Sequence, residues 1–137
     1  MSLSIGQAAD KSGCTPPTIR YYESIGLLPP TPRSDAGRRA YGSKEVARLA
    51  FIRRARDFGL GIPQVRDLLA AAEAPAMACV TARPVVEEHI RALRAKRAEL
   101  KALEAALAAI LVRCDEGCRG GNPGACAIFD DFHLPGA

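Results

Sequence analysis

"SIGQAADKSGCTPPTIRYYESIG", Ser4 to Gly26, contains two helix starts and one tight turn. Ser4 and Gln7 have the spacing of a capping box, in which the serine caps the first turn and the glutamine reaches back. A short helix is predicted from there to about Lys11. Ser12-Gly13-Cys14 reads as a turn. Thr15 then caps a second helix, with Pro16 at the first helical position, where its missing N–H costs nothing. That helix runs through "TIRYYESI" and stops at Gly26. Two short helices joined by a three-residue, glycine-bearing turn make a helix-turn-helix. Thr15, Thr18, Arg20, Tyr21 and Tyr22 crowd the start of its second helix, where a recognition helix meets base edges and phosphates. Hydroxyls and arginine suit phosphate positioning, and arginine also reads guanine. The plainer alternative is an ordinary amphipathic helix.

Downstream, "LLPPTPRSDAGRRAY" (27–41) has three prolines and a Gly37 turn, so it cannot be helix. It reads as a small hairpin or wing carrying Arg33, Arg38 and Arg39. Ser43 is expected to cap a third helix through about Phe58, ended by Gly59, and Pro63 to open a fourth through about Glu73. "AAEAPAMAC" (71–79) reads as a linker. One long helix follows, from about Val80 to Val112, with Pro84 tolerable only in its first turn. Val86, Leu93, Leu100 and Leu107 recur every seven residues, and Ile90, Leu103, Ile110 and Leu111 widen the stripe. Counted from Val85, its 28 residues are about 42 Å long, more than a domain this small can cover, which implies a partner helix. Packing of the stripe on its own domain is the alternative.

Charge divides the chain. Residues 1–75 hold 11 Lys+Arg against 7 Asp+Glu, while residues 76–137 hold 8 of each, so the net +4 lies in the first part. Arg33 to Arg56 alone holds eight basic residues against Asp35 and Glu45. A basic part joined to a neutral one points to a nucleic-acid module joined to something else; a solvated basic face is the alternative. No apolar run approaches the about 18 residues of a membrane span, and no signal pattern opens the chain. A cytoplasmic location without membrane attachment is therefore expected. In that compartment thiols stay reduced, and grouped cysteines favour metal or redox chemistry over disulfides. Three of the five cysteines, Cys114, Cys118 and Cys126, fall in "CDEGCRGGNPGAC". Paired carboxylates, a nucleophile–base pattern and a phosphate loop are not found, so an enzyme is not expected.

"IGQAADKSG", "TIRYYESIGLLPP", "RSDAGRRAY" and "FIRRARDFGL" closely resemble the MerR family of bacterial transcription regulators, and the resemblance runs over the whole chain. It implies a mainly α fold: a winged helix-turn-helix DNA-binding domain (1–75), a long antiparallel coiled-coil dimerisation helix (76–113), and a C-terminal metal-binding loop with a short helix (114–137). Such regulators act as homodimers on inverted-repeat promoter operators whose −35 and −10 elements are too far apart. They distort this double-stranded DNA for RNA polymerase when the effector binds. Carried over, the match makes Thr18, Arg20 and Tyr21 recognition-helix contacts. Arg33, Arg38, Arg39 and Tyr41 become wing contacts, and Arg53 and Arg54 further phosphate contacts. Arg38 is a departure, since relatives often carry an aromatic residue there.

The metal-sensing branch places a cysteine at a helix end, a short loop, a second cysteine and a short apolar helix, which Cys114, Cys126 and "CAIFDDF" resemble. A cysteine or serine opens the dimerisation helix in such relatives, and here it is Cys79. In an antiparallel pair Cys79 of one subunit meets the Cys114–Cys126 loop of the other; within one helix, residues 35 apart lie about 50 Å apart. Cys118 is additional to the pattern, a fourth ligand or a spare thiol. His133 is a weaker candidate, and Cys14 reads better as a small buried apolar side chain. Three thiolates carry −3, so a monovalent ion leaves −2 to desolvate and a divalent one only −1. Relatives that sense Cu(I), Ag(I) or Au(I) resemble the chain but carry serine where Cys79 stands. A soft divalent ion is therefore expected, cadmium or lead ahead of zinc or mercury, since "VVEEHIRAL" and "CAIFDDF" look most like the cadmium- and lead-responsive branch.

Two rival readings remain. An iron–sulfur redox sensor of the SoxR type needs four clustered cysteines, against three here spaced C-x3-C-x7-C. A thiol metal-storage protein has no use for the basic wing.

Overall fold

The computed structural model describes residues 2–31, 33, 37–117 and 126–133. Two compact units are distinguished, Met1–Val86 and Glu87–Ala137. In chain order the helices are α1 (Ile5–Ser12), α2 (Pro16–Ser24), α3 (Ser43–Asp57), α4 (Ile62–Ala72), a 3-10 turn at Pro75–Met77, α5 (Ala78–Gly117) and α6 (Ala127–Asp131).

Local chemistry sets the first two. Ser4 Oγ accepts from the Gln7 N–H, and the Ser4 N–H donates to the Gln7 side chain at 2.9 Å, so the capping box is complete. Gly13 ends α1 with φ +80, its N–H donating to Ala9 O. That left-handed φ favours glycine, and a Cβ there would also push the flexible Arg53 side chain aside, its Cδ lying 2.9 Å away. Thr15 caps α2 through the Thr18 N–H, and the tight exit from α2 uses Gly26 at φ +79.

The first unit has one apolar core. Ile19, Leu27, Leu28, Tyr41, Leu49, Ile52 and Val65 are fully buried, drawn from α2, α3, α4 and the segment between α2 and α3. α1 packs on both α2 and α3. Among the described residues, extended pairing is limited to two isolated antiparallel bridges, Leu3 with Tyr41 and Arg33 with Arg39. The second of these closes the wing.

Several sequence boundaries shift. Gly42, not Ser43, is the N-cap of α3, and its N–H donates to the Glu45 carboxylate at 2.8 Å. The linker expected at 71–79 shrinks to Glu73 and Ala74, because its alanines extend α4 and start α5. α5 consequently begins at Ala78, and Pro84 lies inside it rather than in its first turn. α5 continues past Val112 to Gly117. No helix among the described residues is long and apolar enough to cross a membrane.

Candidate nucleic-acid interface and metal centre

α2 divides its residues by face. Ile19 and Tyr22 are buried, which turns Arg20 and Tyr21 outward, Tyr21 being 53% exposed. Thr18 lies on the first turn, its hydroxyl 2.8 Å from that of Thr15. Thr18, Arg20 and Tyr21 therefore line the start and outer side of one helix.

The wing stands beside it. Arg33 is exposed, and its Nη1 donates to Gly37 O at 2.9 Å, holding the wing turn. Arg38 is exposed as well. Arg39 is half-buried and ion-paired through Nε with Glu23 Oε2 at 3.0 Å. Arg33, Arg38 and Arg39 share an open cleft of about 420 Å³ with Ser4, Ile5 and Gly6 at the start of α1. A helix N-terminus and three guanidinium groups around one cleft give it an anion-attracting character.

Tyr41 is a correction. The resemblance made it a wing contact, but its side chain is fully buried and its hydroxyl donates to Glu23 Oε1. Pairing with Leu3 turns it into the core, so it supports the wing from inside. Burial first, and the adjoining Glu23 carboxylate second, push its pKa from 10.0 up to about 12. A raised folded-state pKa means that the stabilisation is complete below pH 10 and is lost as pH rises through about 12. Urea unfolding across this window should show falling stability, with a shallower fall in Tyr41→Phe. Burial raises the Tyr22 pKa too, so part of the slope remains in that variant. An unchanged slope in Tyr41→Phe would contradict the assignment.

The basic run of α3 serves two purposes. Arg53 and Arg54 are exposed; Arg53 lies against Gly13 in the helix-turn-helix turn, and Arg54 stacks over Phe58 at 4.9 Å. Arg48 and Arg56 instead donate to the carbonyls of Leu27 and Leu60, at 2.7 and 2.8 Å. Arg66 on α4 does the same for Ile25 at 2.9 Å. These three hold loops closed, which a count of charges along the sequence does not reveal.

The thiols group differently. Cys14 is half-buried against the core, its Sγ 3.7 Å from Leu49 O, in keeping with a small buried side chain. Cys79 is exposed on the first turn of α5. Cys114 and Cys126 come together in the second unit: Cys114 near the end of α5 and Cys126 at the N-cap of α6. The Ile128 and Phe129 backbone N–H groups, and to a lesser degree the Cys114 side chain, hold the Cys126 thiol below its ordinary pKa. This favours the thiolate, the form that binds metal. Arg113 Nη2 lies 2.6 Å from Asp131 Oδ1 and ties α6 to the last turns of α5. Cys118 lies outside the described residues. His133 is exposed, just after α6.

Two close thiols, one of them acidified, fit a soft metal ion by donor chemistry. Among the described residues of one chain, no group of three or more His, Cys, Asp or Glu ligands forms. Sequence reasoning missed Glu23, Arg113 and Asp131. Glu23 alone left a trace, as an acidic residue on an otherwise basic and aromatic helix.

Fold and surface are those of a winged helix-turn-helix DNA-binding unit. Comparison with known proteins agrees. A family model described as MerR HTH family regulatory protein matches residues 3–72, and one described as MerR, DNA binding matches 46–110. The chain belongs to the MerR family. It is 40% identical over 130 residues to the uncharacterized HTH-type transcriptional regulator PA4778 of Pseudomonas aeruginosa, covering 95% of this chain and 96% of that one. It is 34% identical over 130 residues to heavy metal-dependent transcription regulator 2 of Rhizobium meliloti, covering 95% and 86%. Among solved structures it is similar to the transcription regulator PbrR691 of Ralstonia metallidurans CH34 in complex with lead(II), with TM-score 0.79, 33% identity, and coverage of 95% and 98%.

Proposed function

We propose that the chain is a cytoplasmic, homodimeric, metal-responsive activator that binds an inverted-repeat promoter and takes a soft divalent cation. The observation that carries this reading is the Cys114–Cys126 pair, with its acidified Cys126 thiol, in a chain that also has a DNA-binding unit. The likeness to a heavy metal-dependent regulator and to a lead(II)-bound regulator supports it.

Thr18, Arg20 and Tyr21 face the major groove in this reading, and Arg33, Arg38 and Arg39 with Arg53 and Arg54 face phosphates. Leu93, Leu100, Leu103 and Leu107 on α5 are 47–60% exposed in the single chain, an apolar seam for a second α5. Antiparallel pairing brings Cys79 of the partner subunit to Cys114 and Cys126. Cys114 and Cys126, with Cys79 of the partner subunit, would hold a soft divalent ion, cadmium or lead ahead of zinc or mercury, whose charge would offset most of the three thiolates. Cys118 is a fourth ligand or a spare thiol. A site shared between subunits would couple the ion to the spacing of the two DNA-binding units, and so to distortion of the promoter for RNA polymerase.

The test is binding of the full-length protein to an inverted-repeat operator selected from random duplexes, compared with a scrambled duplex. Binding should be specific and fall steeply with salt. Arg20→Ala should cost about 1–3 kcal/mol, up to roughly a hundredfold in affinity, if the arginine reads a base. Equal affinity for scrambled DNA at moderate salt would sink the reading.

A further inference from the structure

The recognition helix and the wing meet at one carboxylate. Glu23 sits in the last turn of α2, its side chain only 12% exposed. Its Oε1 accepts from the Tyr41 hydroxyl, and its Oε2 lies 3.0 Å from Arg39 Nε. A guanidinium has one N–H on Nε and four on its two terminal nitrogens. Held at Nε, the plane of the Arg39 group is fixed and the terminal nitrogens keep donors for another acceptor. Arg39 lines the cleft that Arg33 and Arg38 share with the start of α1.

We infer that Glu23 is a positioning residue for DNA binding: it aims the Arg39 guanidinium at a backbone phosphate and ties the wing to the recognition helix. The inference rests on Arg39 being a wing contact to DNA. Two effects of the carboxylate oppose each other. Its negative charge repels DNA, so neutralising it should tighten binding if charge alone mattered. Aiming Arg39 acts the other way, because a guanidinium free to rotate gives up a fixed contact. The two roles therefore predict opposite signs for Glu23→Gln, a replacement of the same shape that still accepts from Tyr41.

The experiment measures affinity of the full-length protein for the selected operator duplex over a range of salt concentrations. Arg39→Ala should make the log–log salt slope shallower by about 0.9 per protomer, the signature of one lost phosphate contact. Glu23→Gln should weaken binding about tenfold and flatten the slope similarly, despite removing a negative charge. The double variant should match Arg39→Ala within about twofold, because both changes remove the same contact. If Glu23→Gln unfolds at the assay temperature, Arg39→Lys replaces it. A lysine ammonium has no fixed plane, so the donors not taken by Glu23 are not aimed, and the variant should bind DNA like Arg39→Ala. An unchanged slope in Arg39→Ala removes the underlying contact. A shallower slope there, with Glu23→Gln or Arg39→Lys binding as tightly as the parent, overturns the positioning role while leaving the contact in place.

Discussion

Leu100→Asp is expected to convert the protein to monomers or aggregates and to abolish both DNA binding and the metal response. Leu100 is 60% exposed in the single chain and lies in register with Val86, Leu93 and Leu107 on α5. In a paired seam the aspartate would be desolvated with no partner cation evident, a cost of several kcal/mol on each side of the two-fold. A monomer reaches only one half of an inverted repeat, so operator affinity should drop by about two orders of magnitude or more. Sedimentation reads the oligomeric state and a mobility shift reads the binding. A variant that still sediments as a dimer places the seam elsewhere.

Cys79→Ser should remove the response to divalent ions and leave metal-free DNA binding intact. The side chain is exposed at the start of α5 and packs on no part of the first unit's core, so its loss leaves that fold alone. Thiolate sites bind structural zinc with about 10–16 kcal/mol over four ligands, so one ligand is worth roughly 3 kcal/mol, or about a hundredfold in affinity. Competition with a chromophoric chelator under reducing conditions measures it. If Cys79→Ser binds cadmium and lead as the parent does, the three-thiolate assignment is wrong.

What the sequence disclosed follows the range of the interactions. The capping box at Ser4 and Gln7, the Thr15 cap with Pro16, and the glycine exits at Gly13 and Gly26 lie within a few residues, and they position the helix-turn-helix. The wing was legible as a segment that could not be helix. The direction of Tyr41 was not, because it depends on pairing with Leu3, 38 residues away, and a tyrosine beside two arginines looks like surface. Glu23 escaped for the same reason: its partners lie on the wing, 16 and 18 residues on. The basic run was legible as charge, but not the carbonyls that Arg48 and Arg56 serve. Cys114 and Cys126 were legible as a pair. The acidity of Cys126 was not, since it comes from the backbone N–H groups that α6 turns toward the sulfur.

Transcription reconstituted with the reduced protein, RNA polymerase and the selected promoter, read during titration with each divalent ion, bears most directly on the proposal. Cadmium or lead should raise transcription, saturating with the occupancy of the thiolate sites, while magnesium and calcium should have no effect. The Cys114→Ser and Cys126→Ser variants should bind the promoter and stay silent. Operator binding by the parent that is intact, with transcription unmoved by cadmium, lead, zinc and mercury alike, would contradict the account.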